Sequence, residues 1–192
     1  MRETASHVRN FSGTSKRDTG MNKGMVYLRP FRLVYARVTG PYESSIPAAW
    51  DKMLGWLSKN GLHSPIGRGF GLARDNPAAV GMDKCRYDAC VELDPYMEER
   101  AMRELAVQTM PGGSYVRQRQ SGDYASITSV VSGLHQSFEA PPGLRFDDKR
   151  PLVTMYLDDP RKFEQEQLRA DICLPVSAKT GRGRDEDDQA AA

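Results

Sequence analysis

Val34-Tyr35-Ala36-Arg37-Val38-Thr39-Gly40-Pro41-Tyr42 is answered by Val116-Arg117-Gln118-Arg119-Gln120-Ser121-Gly122-Asp123-Tyr124, which matches valine, arginine, a hydroxyl residue, glycine and tyrosine at an offset of 82. Gly61-Leu62 returns as Gly143-Leu144 at the same offset. Asp75-Asn76-Pro77 returns as Asp158-Asp159-Pro160, and Arg86-Tyr87-Asp88-Ala89-Cys90 as Arg169-Ala170-Asp171-Ile172-Cys173, both at an offset of 83. Several matches in one order at nearly one spacing mark an internal duplication, so the chain reads as two copies of one supersecondary unit.

Each copy carries the same element pattern. Residues 26–38 and 113–120 mix β-branched, aromatic and polar residues and end in glycine-containing turns, as strands do. Ile46, Ala49, Trp50, Met53, Leu54 and Leu57 recur at helical spacing over 45–59, and Asn60-Gly61 supplies a left-handed stop. Ile127, Val130, Val131, Leu134 and Phe138 do the same over 125–138. Further strands are predicted at 68–75, 84–93, 152–158 and 168–176. The expected fold is therefore α+β: a pseudo-twofold duplication of a strand-helix-strand-strand unit. Its antiparallel sheet carries helices on one face and a ligand cleft on the other. The expected organisation is a flexible extension over 1–25, one domain over 26–176 with halves of about 26–95 and 110–176, and a disordered tail over 177–192.

Strand alternation splits residues 152–157 into two faces. Val153, Met155 and Leu157 are expected under the helix, and Leu152, Thr154 and Tyr156 are expected to line the cleft between the halves. The first half offers Gly69, Gly71 and Ala73 at the corresponding positions, so one wall reads as bulky and the other as nearly bare.

Composition narrows the function. Lysine and arginine total 27 against 25 acidic residues, a net charge of +2, which is not the basic field of a nucleic-acid binder. The three cysteines, Cys85, Cys90 and Cys173, lie in apolar strand-like segments and suit a reducing compartment. No apolar run approaches the roughly 20 residues that span a bilayer, and the N-terminus lacks the hydrophobic stretch of a secretory signal. The expectation is a cytoplasmic chain without direct contact to nucleic acid or membrane. His7, His63 and His135 lack the spacing of a zinc site, and no metal or other cofactor is expected. Gly67-Arg68-Gly69-Phe70-Gly71 lacks the lysine and the strand-to-helix context of a phosphate loop.

Six segments, in order, carry a resemblance. They are the strand ending in Gly40-Pro41-Tyr42, the helix with Trp50 and Trp56, Lys84 to Val91, Met110-Pro111-Gly112-Gly113-Ser114-Tyr115, Tyr156-Leu157-Asp158-Asp159-Pro160, and Asp171 to Val176. Over about residues 26–176 the chain resembles the GyrI-like family, which includes the bacterial DNA gyrase inhibitory protein and the effector-binding domains of AraC-type and MerR-type multidrug-sensing regulators. The resemblance implies a pseudo-twofold domain whose central cleft accepts drug-like, often cationic and aromatic molecules. It also implies an acidic residue projecting into that cleft, which neutralises a cation or, in members that hydrolyse cyclopropane-bearing toxins, takes part in catalysis. Thr154 stands at that position, and a hydroxyl offers hydrogen bonds without charge. No catalytic residue is therefore assigned.

The candidate ligand-binding residues are Tyr42, Arg86, Arg119, Tyr124, Thr154 and Tyr156. Tyr42 and Tyr124 either gate the cleft mouth or pack over the strand-one turns. Arg86 and Asp88, with their repeats Arg169 and Asp171, either meet a polar ligand or form ion pairs holding the halves together. Arg37 and Arg119 carry the same two readings. The expected partner is a small organic ligand, planar and neutral or anionic rather than cationic. DNA gyrase or a separate regulator is the macromolecular alternative. About 24 polar residues precede the domain and about 16 follow it, too few for an AraC-type DNA reader.

Overall fold

The computed structural model describes residues 8–10, 23–62, 69–92 and 103–179. Ten strands, β1 to β10 in chain order, form the sheet. In the first half Phe31–Thr39 (β3) leads through Gly40-Pro41 into helix Tyr42–Lys59 (α1), then into the hairpin Gly69–Ala73 (β4) and Arg86–Glu92 (β5). In the second half Gly113–Ser121 (β7) leads into helix Ala125–Ser137 (α3), then into Leu152–Tyr156 (β9) and Arg169–Ala178 (β10). A short helix, Pro77–Val80 (α2), interrupts the β4–β5 connection. The two halves have one topology, as the repeat requires. Gly61 ends the turn after α1 at φ +67°, the expected left-handed stop, and the Leu62 N–H closes back on the Leu57 carbonyl at 2.9 Å.

Four shorter strands were not foreseen as separate elements. Lys23–Leu28 (β2) is separated from β3 by Arg29-Pro30, where proline removes a ladder donor and breaks the single strand expected over 26–38. Ala106–Met110 (β6) pairs with β3, and Leu144–Phe146 (β8) pairs with β10. Val8–Asn10 (β1), inside the extension expected to be flexible, pairs with β2. The remainder of that extension and the tail from residue 180 lie outside the described residues.

The strand order is β1-β2-β7-β10-β9-β4-β5-β3-β6, antiparallel at every neighbouring pair. The pseudo-twofold therefore passes between β9 and β4, where Gly71 faces Thr154 across the ladder. At the outer ends the chain closes on itself. β2 and β3 are consecutive yet lie at opposite ends of the order, and both pair with the equally consecutive β7 and β6. Leu28 faces Gly113 and Phe31 faces Met110, so one register runs through both pairs across the Pro30 and Gly112 crossing. A Cβ on Gly112 would stand 2.6 Å from the Pro30 ring, and only glycine permits that approach.

Two cores result. On the helix face Val34, Ala36, Tyr87, Ala89, Leu152, Tyr156, Ala170 and Ile172 pack beneath Ile46, Ala49, Met53 and Ile127. On the opposite face Leu33, Phe70, Leu72, Cys90, Val153, Met155 and Cys173 pack with Val26, Leu28, Met110 and Tyr115 from the closing strands. All three cysteines are free and buried.

Arg150 fastens the closure. Its guanidinium lies 4.8 Å over the Tyr115 ring, pairs with Asp147 at 2.9 Å, and donates to the carbonyls of Ser114 at 3.2 Å and Val176 at 2.7 Å. Removing the fork leaves carbonyls without donors, so Arg150→Ala is expected to lose roughly 2–3 kcal/mol. Lysine should restore less than half, because a point charge cannot make the bidentate arrangement. Urea unfolding of the three proteins measures this, and a loss under about 0.5 kcal/mol for alanine would remove Arg150 from the closure.

Candidate functional site

The helices α1 and α3 lie over the central strands, and the β4–β9 pair forms the floor between them. Four aromatic side chains meet there. Trp50 comes from α1, Tyr87 from β5, Tyr156 from β9, and Tyr124 from the residue before α3. The Trp50 and Tyr156 rings are 5.0 Å apart at 84°, and Tyr124 and Tyr156 are 4.9 Å apart at 74°. The Tyr87 and Tyr156 hydroxyls lie 3.1 Å apart, joining the halves by a buried hydrogen bond across the pseudo-twofold.

Gly69 and Gly71 make this cluster fit. A Cβ on Gly69 would run into the Trp50 indole, and one on Gly71 into the Tyr87 hydroxyl. The bare wall read from the sequence is therefore present, but Trp50 and Tyr87 occupy the space above it. Two open surface clefts, of about 360 and 430 Å³, share no residue with the cluster: one lies between α3 and β7 and is lined by Gln118, Val130, Leu134 and Phe138, and the other lies beside Arg37 and Lys52.

The face assignment of β9 is reversed from expectation. Tyr156 and Leu152 belong to the core under the helices, while Val153 and Met155 belong to the core on the opposite face. Thr154, two residues from each of Leu152 and Tyr156, shares their face. Alternation fixes which residues go together; the pairing of β9 with β4 and β10 decides which set meets the helices. Thr154 is fully buried, and its hydroxyl has no hydrogen-bond partner.

Burial raises the Tyr87 phenol well above its ordinary range, and the neighbouring Tyr156 adds to the shift. Burial raises Tyr156 too, partly offset by the Tyr87 hydroxyl and the Trp50 indole. Both phenols are neutral near pH 7.

The other candidates are structural. The Tyr42 hydroxyl donates to the Asp75 carbonyl at 2.6 Å and accepts the Asp75 N–H at 3.1 Å. Tyr124 repeats this on Asp158, 2.9 Å from its carbonyl and 3.1 Å from its N–H, so both tyrosines pack over their turns while Tyr124 also presents a ring to the groove. Arg86 is exposed and forks onto Asp75 at 2.8 and 2.7 Å, as Arg169 does onto Asp158 at 2.9 and 2.8 Å. Arg119 pairs with Asp171 on the face away from the helices. Arg86 and Arg119 therefore do not enter the groove. The ion pairs also close within each half, not between halves as expected, because β3 and β7 bring Arg37 and Arg119 to the aspartates of the strands beside them, Asp88 and Asp171. Sequence reasoning missed Trp50 and Tyr87 as groove residues. The helix periodicity gave Trp50 an apolar role only, and Tyr87 was passed over between two charged neighbours.

Fold and groove together define a duplicated α+β domain of the ligand-binding kind. Residues 21–177 match the GyrI-like small molecule binding domain, and the chain belongs to that family. It is 30% identical over 86 residues to a DNA gyrase inhibitor of Serratia proteamaculans, covering 44% of this chain and 54% of the relative. The chain thus matches only about half the length of that inhibitor. It is 25% identical over 129 residues to the probable transcriptional regulator YgiV of Escherichia coli K12, covering 66% and 78% of the two chains. Among solved structures it resembles EcmrR in a complex with DNA, with a TM-score of 0.59 at 15% identity over 83% of this chain and 58% of that one. It also resembles SAV2435 bound to tetraphenylphosphonium, with a TM-score of 0.53 at 15% identity over 82% and 94%. These two likenesses establish the fold. Among the described residues no helix is long and apolar enough to cross a membrane.

The buried carboxylate Asp88 gives the first half a measurable pH signature. It accepts from Arg37 at 2.6 and 2.9 Å, Arg74 at 2.5 Å and Gln108 at 3.1 Å. Burial pushes its pKa up, but these donors outweigh burial and hold it below the ordinary 3.8. A depressed folded value contributes stability above the ordinary value and loses it as pH falls through the folded one. Urea midpoints should therefore hold from pH 7 to about 5 and fall below about 4. Asp88→Asn should lose about 3 kcal/mol at pH 7 by stranding two arginines, with a shallower decline in acid. An unchanged acid slope in the variant would assign that decline to other carboxylates.

Proposed function

We propose that this protein is a cytoplasmic small-molecule-binding protein that senses or sequesters a planar aromatic ligand in the groove between α1 and α3. The observation that carries the reading is the combination of edge-to-face aromatic rings on a glycine floor with the buried, unpartnered Thr154 hydroxyl. Rings supply contact area and a polar handle fixes orientation, as ligand sites require. Membership in a family of small-molecule binding domains supports the same reading. Binding is the role this cluster supports: it offers neutral phenols and a hydroxyl.

The groove also argues for a ligand charge. SAV2435 is bound to a lipophilic cation, and a cation in a partly desolvated site gains roughly 4 kcal/mol of gross attraction from a carboxylate at 4 Å, much of it offset by desolvation. Thr154 provides no such term. Arg86 and Arg119 lie elsewhere, which removes their support for anions and leaves neutral ligands favoured. Coumarin and the similarly sized cation N-methylquinolinium test this by calorimetry. The unmodified protein should prefer coumarin at least fivefold, Thr154→Glu should reverse the order, and Tyr156→Ala should weaken both. Absence of binding by either probe to any of the proteins would defeat the proposal.

The Serratia relative favours a second reading, contact with DNA gyrase. Supercoiling by gyrase that is unchanged at tens of micromolar of this protein would set it aside.

A further inference from the structure

The groove reading leaves open what kind of molecule can enter a space that the protein fills itself, and the following rests on that reading. Among the groove aromatics Trp50 differs from the others in how it is held. Tyr87 and Tyr156 rise from central strands and are almost wholly buried, and Tyr124 is tied by its hydroxyl to the β9–β10 connection. Trp50 is half-buried on the flank of α1, next to the seam of Ala49, Met53, Trp56 and Leu57 that fixes the helix to the sheet. Its indole N–H lies among the groove phenols without a hydrogen bond of normal geometry. Ile46, Met53 and Leu57, which share its side of the helix, are more deeply buried, so they keep α1 on the sheet when a rotamer change carries the Trp50 ring off the floor.

The vacated footprint is defined on every side by groups already described. Gly69 forms its base and the Tyr156 ring stands perpendicular to one edge, while the Tyr87 hydroxyl over Gly71, with Thr154 facing Gly71 across the ladder, forms its polar end. The present occupant is a planar two-ring system. Thr154 is a buried donor without an acceptor, a condition that native structures rarely leave uncorrected. The groups lining the footprint carry no charge: two phenols that burial keeps protonated, one hydroxyl, and glycine backbone.

We infer that Trp50 is a displaceable plug that holds the ligand's place, and that the groove takes an uncharged, planar, two-ring aromatic molecule whose hydrogen-bond acceptor seats on the Thr154 hydroxyl. Opening costs the Trp50 contacts and the ligand replaces them, while the Thr154 bond is new. Specificity therefore rests on the acceptor more than on ring area.

The test uses coumarin, which has a carbonyl acceptor, and naphthalene, which has the same ring count and none. Indole nitrogen-15 spectra follow the plug directly, since the chain has 2 tryptophans and Trp56→Phe assigns the remaining signal to Trp50. Saturating coumarin should move the Trp50 indole resonance toward its solvent-exposed position and speed its hydrogen exchange at least tenfold, with the Trp56 signal unmoved. Trp50→Ala should tighten coumarin and naphthalene at least tenfold. Thr154→Val should weaken coumarin about fivefold and leave naphthalene unchanged. Coumarin binding with an unmoved Trp50 signal, or weakened binding in Trp50→Ala, would overturn the plug while leaving the groove as a ligand site. Failure of coumarin, naphthalene and N-methylquinolinium to bind either the unmodified protein or Trp50→Ala would overturn the groove reading with it.

Discussion

The antiparallel pairing of β4 with β9 is the constraint on which the rest of the structure depends. It joins the two duplicated sheets at their centre, and it sets Gly69 against Tyr156, Gly71 against Thr154 and Ala73 against Leu152. A slip of one residue would exchange every side chain between faces. Phe70 and Leu72 would then face the helices, and the Trp50 indole would have nowhere to lie. The same register sends Leu72 and Val153 to the opposite core, where the closing strands β2, β3, β6 and β7 cover them. One ladder therefore fixes the groove floor and the second core together.

Duplication preserved the frame and let the centre diverge. Tyrosine on the aspartate backbone, aspartate on the strand arginine, and arginine on the buried carboxylate occur once in each half, as Tyr42–Asp75–Arg86 with Arg37–Asp88 and as Tyr124–Asp158–Arg169 with Arg119–Asp171. These pairs hold the hairpins and the helix starts. The floor is unequal: glycines on one side, threonine and tyrosine on the other. A symmetric floor of large residues would exclude any second ring, and a symmetric floor of glycines would offer neither a wall nor a donor. The divergence gives the groove both a space and a polar end.

The frame and the groove draw on different physics. The ion pairs lie at strand ends and on the face away from the helices, and their energetics are electrostatic and sensitive to acid. The groove cluster is aromatic, with two phenols that burial keeps neutral. Changes in pH near neutrality act on neither set of groups.

Much of this was legible in the chain. The repeated Gly-x-Tyr turns, helical spacings and paired strand motifs fix two equal units, because local periodicity and turn chemistry act over a few residues. Alternation also groups Thr154 with Tyr156 and Leu152 on one face of the strand. What the sequence could not decide is which side of the β9 strand meets the helices, which arginine finds which aspartate, and that Trp50 fills the space above Gly69. Each depends on a partner from 11 to 106 residues away, such as Arg86 with Asp75 or Trp50 with Tyr156. Alternation is unchanged when a strand is turned over; only pairing with β4 and β10 breaks that tie, and pairing is a property of the assembled sheet.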